Sequence, residues 1–203
     1  FTTTLLAEEL ARVCASTALS VAASGGLCGK FIEQFGTEEQ KKKYLPRLAR
    51  GEIIGGFCLT EPHSGSDAAG MKTTATKKGQ DYVLNGTKMF VTNGTIAEVF
   101  MVLARTDRGQ GPKGISAFVV EKNGGVRPGN PLHKMGVRGS PTSEVVFEDC
   151  VVPKSGIVGE EGKGFHYVMQ NLDLGRIGIA AFSTGIAQAC LDMGDYILVK
   201  TVY

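Results

Sequence analysis

Residues 53–70 read IIGGFCLTEPHSGSDAAG, and the fold turns on this stretch. Before it the sequence has helical texture; for about a hundred residues after it the texture is that of strands. From about Leu5 to Ala23 the residues favour helix, with Leu6, Leu10 and Val13 on one stripe. TEEQ, Thr37 to Gln40, spells a capping box, which predicts a helix running towards Ala49, bent near Pro46 and stopped at Gly51. Downstream come short β-rich runs: DYVLNGTKMFVTNG, EVFMVLART, GISAFVVEK and EVVFEDCVV. Asn85-Gly86 lies between two such runs and predicts a tight hairpin turn. Short strands divided by Gly-rich turns predict a small antiparallel barrel or sandwich over residues 53–153.

Helical periodicity returns after GEEGKG, with Phe165, Met169, Leu172, Ile179, Phe182, Ile186, Cys190, Met193 and Ile197 recurring every three or four residues or a multiple of that. The fold class expected is therefore α+β: N-terminal helices (1–52), a β domain (53–153) and the start of a second helical region (154–203).

Composition narrows the function classes. The chain has 203 residues, 42% hydrophobic and 21% charged, with a net charge of +2 that argues for neither nucleic acid nor a membrane surface. Lys41, Lys42 and Lys43 fall on the expected helix and read as a solvated face. The five cysteines are odd in number and form no Cys-x-x-Cys pair, so neither a zinc site nor a disulfide framework is expected. That usage fits a reducing compartment. No unbroken apolar run approaches the roughly 18 residues of a membrane span, and no signal peptide is visible. The chain opens at Phe1, already inside a helical pattern, and reads as a piece of something longer.

Two motif matches reduce to loop chemistry. GQGPKG, residues 109–114, spells a dinucleotide fingerprint, but a strand follows it where a helix N-terminus is needed, so a hairpin loop is expected. The Asn-Gly-Thr sequons at Asn85 and Asn93 read as turns. His63, His133 and His166 are dispersed and form no ligand set.

The opening stretch carries more. Its apolar run breaks into an acid, a proline, a histidine and then Ser64-Gly65-Ser66-Asp67, longer and richer in donors than a turn requires. Successive N–H groups around Ser64, Gly65 and Ser66 form a plausible concave donor site for phosphate, and Gly65 lets a ligand approach the backbone closely. An Asp/Ser-rich turn with no ligand satisfies the same spacing.

Cys58-Leu59-Thr60-Glu61-Pro62, followed by Gly65-Ser66-Asp67 and Gly70, resembles the flavin-binding motif of the acyl-CoA dehydrogenase family. The resemblance continues in MFVTNG (89–94), MGVRGSPTSEVVFEDCVVP (135–153), GKGF (162–165) and LDLGRIGIAA (172–181), in one order over nearly the whole chain. It implies FAD held between the β domain and a C-terminal helical domain. Phe57, Leu59, Thr60, Gly65 and Ser66 would line the cofactor, with Thr60 on the pyrimidine side and Ser66 near the pyrophosphate and the bound thioester. Phe90, Val91 and Thr92 would form the second flavin strand, with the Thr92 hydroxyl close to N5. Phe90 stands where many members carry tryptophan. Phe90 and Val91 as core residues, and Thr92 as a structural hydroxyl, are compatible with the same sequence. Asp173 and Arg176 would lie near the CoA moiety; three apart on one helix, they also suit a simple ion pair. Gly175 and Gly178 cost about 1 kcal/mol each in a helix interior, which suggests a close approach there.

The resemblance further implies α,β-dehydrogenation of an acyl-CoA, with electrons passed to electron-transferring flavoprotein. It implies a homotetrameric parent in a bacterial cytoplasm or mitochondrial matrix. The acid-base glutamate of most members would lie beyond Tyr203; in the isovaleryl type it takes the position of Gly175, which has no carboxylate. No catalytic base is thus expected within these residues. GRIGIAA and GISAFVVEK are similar to short-chain, butyryl-type members. The family's R-x-Q-F-G stretch would begin near residue 201, where this chain has Thr201. A non-enzymatic flavin- or acyl-CoA-binding, or assembly, protein is the competing expectation.

Overall fold

The computed structural model describes residues 1–202, with side chains through Tyr196; Tyr203 and the side chains of Ile197 and Thr201 lie outside the described residues. The N-terminal region is more broken than its helical stripe predicts. Helix α1 (Thr2–Val13) stops at Cys14, whose backbone is extended, and α2 (Ala15–Val21) runs into a π-helical segment, Ala22–Gly29, and then α3 (Lys30–Phe35). Helix α4 (Glu38–Ala49) begins as expected: the Gln40 amide donates to the Thr37 hydroxyl at 3.3 Å and the Gln40 side chain accepts from the Thr37 amide at 3.0 Å. Gln40 does more than cap. Its Nε2 donates to the Ser155 and Ile157 carbonyls, each at 2.8 Å, tying α4 to the end of the β domain.

Eight strands follow: β1 (Gly55–Cys58), β2 (Thr74–Lys78), β3 (Asp81–Thr92), β4 (Val99–Arg105), β5 (Ile115–Glu121), β6 (Val126–Pro128), β7 (Thr142–Val152) and β8 (Ile157–Val158). Their order is β6-β7-β3-β2-β4-β5-β8, with β1 also on β4. The sheet is mixed rather than wholly antiparallel. Both β1 and β2 run parallel to β4, β1 along Val99–Val102 and β2 at Arg105. They share one edge of β4 in succession, so the chain between them, residues 59–73, is looped out of the sheet. That loop holds the opening motif.

Strands β4 and β5 read as unbroken apolar runs because both of their faces are buried. Phe100, Val102, Phe118 and Val120 pack into a core with β3 and β7, while Met101, Leu103, Ala117 and Val119 pack against the helices. The GQGPKG segment is the loop between these antiparallel strands, as expected.

Asn85-Gly86 is not a hairpin turn. Both residues lie within β3, at a register shift between Leu84 and Gly86 in the pairing with β7. The β2–β3 reversal falls instead at Gly79-Gln80, where Gly79 has φ +64°. Asn85 is held across the sheet by Asp149: its Oδ1 accepts from the Asp149 amide at 2.8 Å and its Nδ2 donates to the carboxylate at 3.2 Å. Asn93 does end its strand in a turn, with φ +65°, and is buried.

Helix α5 (Gly164–Val202) closes the described chain and lies against α1, where Arg12 pairs with Asp192 at 2.5 Å. The close approach expected at Gly175 and Gly178 occurs at Gly185. A Cβ there would fall inside contact distance of the Glu8 carbonyl, whereas at Gly178 it would meet nothing within 4 Å. Leu174, Ile177, Ile179, Leu191 and Met193 are exposed along α5, while Phe182 and Ile186 are half-buried. By length and composition Gly164–Tyr196 is apolar enough to cross a membrane, with a mean hydropathy of 1.3 in a window only 11% buried. Asp173, Arg176 and glycines punctuate the helix, so it holds no unbroken apolar run of membrane-spanning length, and no clear membrane span follows.

Candidate functional site

The loop between β1 and β2 is folded upon itself by its own polar groups. The Glu61 and Ser64 backbones bond to each other in both directions, turning the chain at Pro62-His63. The Ser64 hydroxyl donates to the Asp67 carbonyl, and the Asp67 carboxylate accepts from the Gly70 amide at 3.1 Å. Ser64 is therefore spent inside the loop. Of the donors read from the sequence, Gly65 and Ser66 remain, both exposed. A Cβ on Gly65 would meet nothing within 4 Å, so its open side faces away from the protein.

Arg105, at the end of β4, clamps the far side of this loop. Its guanidinium donates to the carbonyls of Ala69, Met71 (2.7 Å) and Gly111 (3.0 Å). The near side rests on a buried ion pair that the motif does not advertise. Lys88 Nζ lies 2.8 Å from Glu61 Oε1, with side chains 0% and 5% exposed. The ammonium also donates to the Leu59 carbonyl at 3.0 Å. The Glu61 carboxylate accepts further bonds from the amides of Lys72 (2.6 Å) and Thr73 (3.0 Å). Burial pushes the Glu61 carboxyl up, but the Lys88 charge and these hydrogen bonds outweigh it and hold the group below the usual carboxylate range. Burial lowers Lys88's own hold on its proton, offset only in part by Glu61.

One strand faces this loop. The Met89 amide donates to the Thr60 carbonyl at 2.8 Å, setting β3 beside the motif. The β3–β7 register then breaks between Lys88 and Val91, and Phe90 takes a left-handed φ of +56°. Bulky residues rarely occupy that region without a local demand for it. The outcome is a phenyl ring 64% exposed beside a Val91 that is 1% exposed. Val91 is thus a core residue, and Phe90 is not.

Each residue singled out in the sequence has a definite place. Phe57, Leu59, Thr60 and Thr92 are half-buried along β1, its continuation and the end of β3. Among the described residues, no hydrogen bond engages the hydroxyls of Thr60, Ser66 or Thr92, and the buried Thr73 Oγ1, Asn93 Oδ1 and Ser143 Oγ nearby also lack partners. Asp173 and Arg176 form an exposed i,i+3 pair at 3.8 Å on α5, with no ion pair or hydrogen bond to the loop. Cys58 is fully buried and burial pushes its thiol up, which removes it as a nucleophile. Among the described residues no cluster of histidine, cysteine and acidic side chains is arranged to hold a metal.

Sequence reasoning overlooked Glu61 and Lys88 as a pair, and Arg105. A signal existed for Lys88: Tyr82, Leu84 and Lys88 share one parity along β3, so the lysine falls in phase with core positions.

Comparison with known proteins places the whole arrangement. Models of the acyl-CoA dehydrogenase N-terminal, middle and C-terminal domains match residues 1–52, 56–150 and 162–202. A short-chain-specific acyl-CoA dehydrogenase of Clostridium acetobutylicum is 49% identical over 186 residues, covering 91% of this chain and 49% of that protein. The structure of butyryl-CoA dehydrogenase from Megasphaera elsdenii superposes with a TM-score of 0.91 at 47% identity, over 93% of this chain and 50% of its own. An acyl-CoA dehydrogenase from Bacillus anthracis, solved in complex with FAD, superposes at 0.84 with 43% identity, over 90% of this chain and 32% of its own. The chain spans about half the length of the curated relatives it matches.

Proposed function

Because this chain belongs to the acyl-CoA dehydrogenase family, we propose that it forms the flavin-binding part of an FAD-dependent short-chain acyl-CoA dehydrogenase. The observation that carries this reading is the set of three unbonded hydroxyls, Thr60, Ser66 and Thr92, on two segments joined at the Thr60 carbonyl. An isoalloxazine ring needs donors and acceptors along one edge and apolar contact on a face. Phe57, Leu59 and the exposed Phe90 ring suit the second requirement, while Val91, buried in the core, anchors the strand beneath them. Gly65 and Ser66, on the open side of the loop, suit a pyrophosphate. Asp173 and Arg176 on α5, with Ser66, suit the substrate's CoA portion, since their loose 3.8 Å pair is exposed and open to a ligand.

FAD, when bound, supplies the acceptor for the substrate's β-hydrogen. The part assigned to this chain is to orient and to exclude water. By the family resemblance no carboxylate for proton abstraction is expected among these residues, since Gly175 would stand at one family position for the base and the other would fall beyond Tyr203. We therefore infer that residues 1–203 alone are inactive, and that the whole protein passes electrons to electron-transferring flavoprotein as a homotetramer, in a bacterial cytoplasm or mitochondrial matrix. The division into 1–52, 53–153 and 154–203 belongs to the same proposal. The exposed apolar side of α5 is read as a face for further helices.

An anaerobic titration tests the reading. FAD should bind to the purified chain, and Thr92→Val should weaken it by about 0.5–1.5 kcal/mol, the value of one hydrogen bond, whereas His133→Ala should not. Butyryl-CoA added to the bound flavin should leave it unbleached. Equal effects of the two substitutions would count against the site, and bleaching at about 1 s⁻¹ or faster would require a base within the chain.

A further inference from the structure

The Glu61–Lys88 pair does something that neither the motif nor the fold requires. One ammonium grips both ends of the looped-out segment. It donates to the Leu59 carbonyl at the entry, and through Glu61 it reaches the Lys72 and Thr73 amides at the exit. Lys88 sits on the strand whose next residue, Met89, bonds to Thr60 and whose end carries Phe90 and Thr92. The pair is thus the one point where the loop's two ends and the facing strand meet.

A buried ion pair is a poor device for stability alone. Apolar residues of similar volume stabilise as well or better, and the clearest use of such pairs is to fix one geometry among several. We propose that Lys88 and Glu61 are positioning residues for the cofactor, holding Thr60, Gly65 and Ser66 in fixed relation to Thr92. The inference rests on the FAD reading above. It adds that affinity and flavin environment depend on two side chains that do not themselves face the ligand.

The loop's own bonds support this division of labour. Ser64, Asp67 and Gly70 are satisfied locally, and Arg105 secures the far side. None of these bonds fixes the loop to β3. Among the described residues, the polar bonds that do so are those of Lys88 and the adjacent Met89–Thr60 bond, beside the packing of Thr73 on Gly86.

The test compares Lys88→Met, Glu61→Gln and the double variant with Leu84→Ala, a core truncation on the same strand that sits opposite Ala75 of β2 and Cys150 of β7 and touches no part of the ion pair. The double variant leaves no uncompensated buried charge, so it keeps the test open if a single variant fails to fold. Each is titrated with FAD, the visible absorption band of the bound flavin is recorded at saturation, and folding is followed by circular dichroism. Folded pair variants should bind FAD at least tenfold more weakly and shift the band, while Leu84→Ala, though less stable, keeps the wild-type band. Wild-type affinity and band in the folded double variant would overturn the proposal, as would an equal band shift in Leu84→Ala. Failure of the unsubstituted chain to bind FAD would instead overturn the cofactor reading, and this inference with it.

Discussion

Lys88→Met should lower the unfolding free energy by about 3–5 kcal/mol at neutral pH, the cost of breaking a buried ion pair from one side. The side chain is fully buried, so the variant strands the Glu61 carboxylate without its counter-charge while the Lys72 and Thr73 amides still face it. The pH dependence gives a second handle. In the wild type Glu61's folded pKa is depressed, so its stabilisation is complete above the unfolded value of about 4.3 and is lost as pH falls through the lower folded value. In the variant only the Lys72 and Thr73 amides oppose burial, so the carboxyl is pushed up from its wild-type position and protonation relieves the stranded charge. The stability gap between the two proteins should therefore narrow as pH falls, first through the variant's higher folded value and then towards the wild type's lower one. Urea denaturation at pH 7 and in the acid range reads both effects. A gap under about 1 kcal/mol at pH 7 would mean that the pair is worth no more than an exposed one.

Gly86→Ala should cost about 2–6 kcal/mol, from two additive sources. The backbone there has φ +153°, a region open to glycine and strained for other residues by about 1–3 kcal/mol. A Cβ would also stand 2.7 Å from the Thr73 Cα, an overlap with backbone that cannot rotate away and costs about 1–3 kcal/mol. Gly124→Ala, where a Cβ would meet nothing within 4 Å, is the matched control and should change stability by less than about 1 kcal/mol. Thermal or urea unfolding of the two variants decides between a glycine required by contact and one that is merely permitted.

Gly86 also shows where the sequence stops being readable. Asn-Gly is a strong local turn signal, yet here it lies inside β3 because Asn85 is bound from across the sheet by Asp149. The competing turn, Gly79-Gln80, is the weaker local signal and the one realised. Features set by neighbouring residues are legible: the Thr37–Gln40 capping box, the change from helix to strand, which falls between Ala49 and Gly55, and the hairpin character of GQGPKG. Features set by distant pairing were not. That β1 lies parallel on β4, that α5 meets α1 at Gly185 rather than at Gly175, and that Phe90 turns outward all depend on which segments meet.

The candidate site divides the same way. Thr60, Ser66 and Thr92 are proposed as site residues through a family motif, and their hydroxyls, free of protein hydrogen bonds, are compatible with that proposal. Ser64 was read as a ligand donor and is consumed within the loop, since only the folded turn reveals that the Asp67 carbonyl takes its hydroxyl. Glu61 and Lys88 stand far apart in sequence, and only the phase of Lys88 with Tyr82 and Leu84 hinted that a charge was buried.

The most direct measurement is hydrogen exchange of the unsubstituted chain with and without FAD, read peptide by peptide. Saturable binding with added protection concentrated in residues 57–66 and 89–92 is the result expected if these two segments hold the cofactor. Protection located elsewhere in the chain, or no saturable binding at millimolar FAD, would contradict the assignment of a flavin site to the loop between β1 and β2.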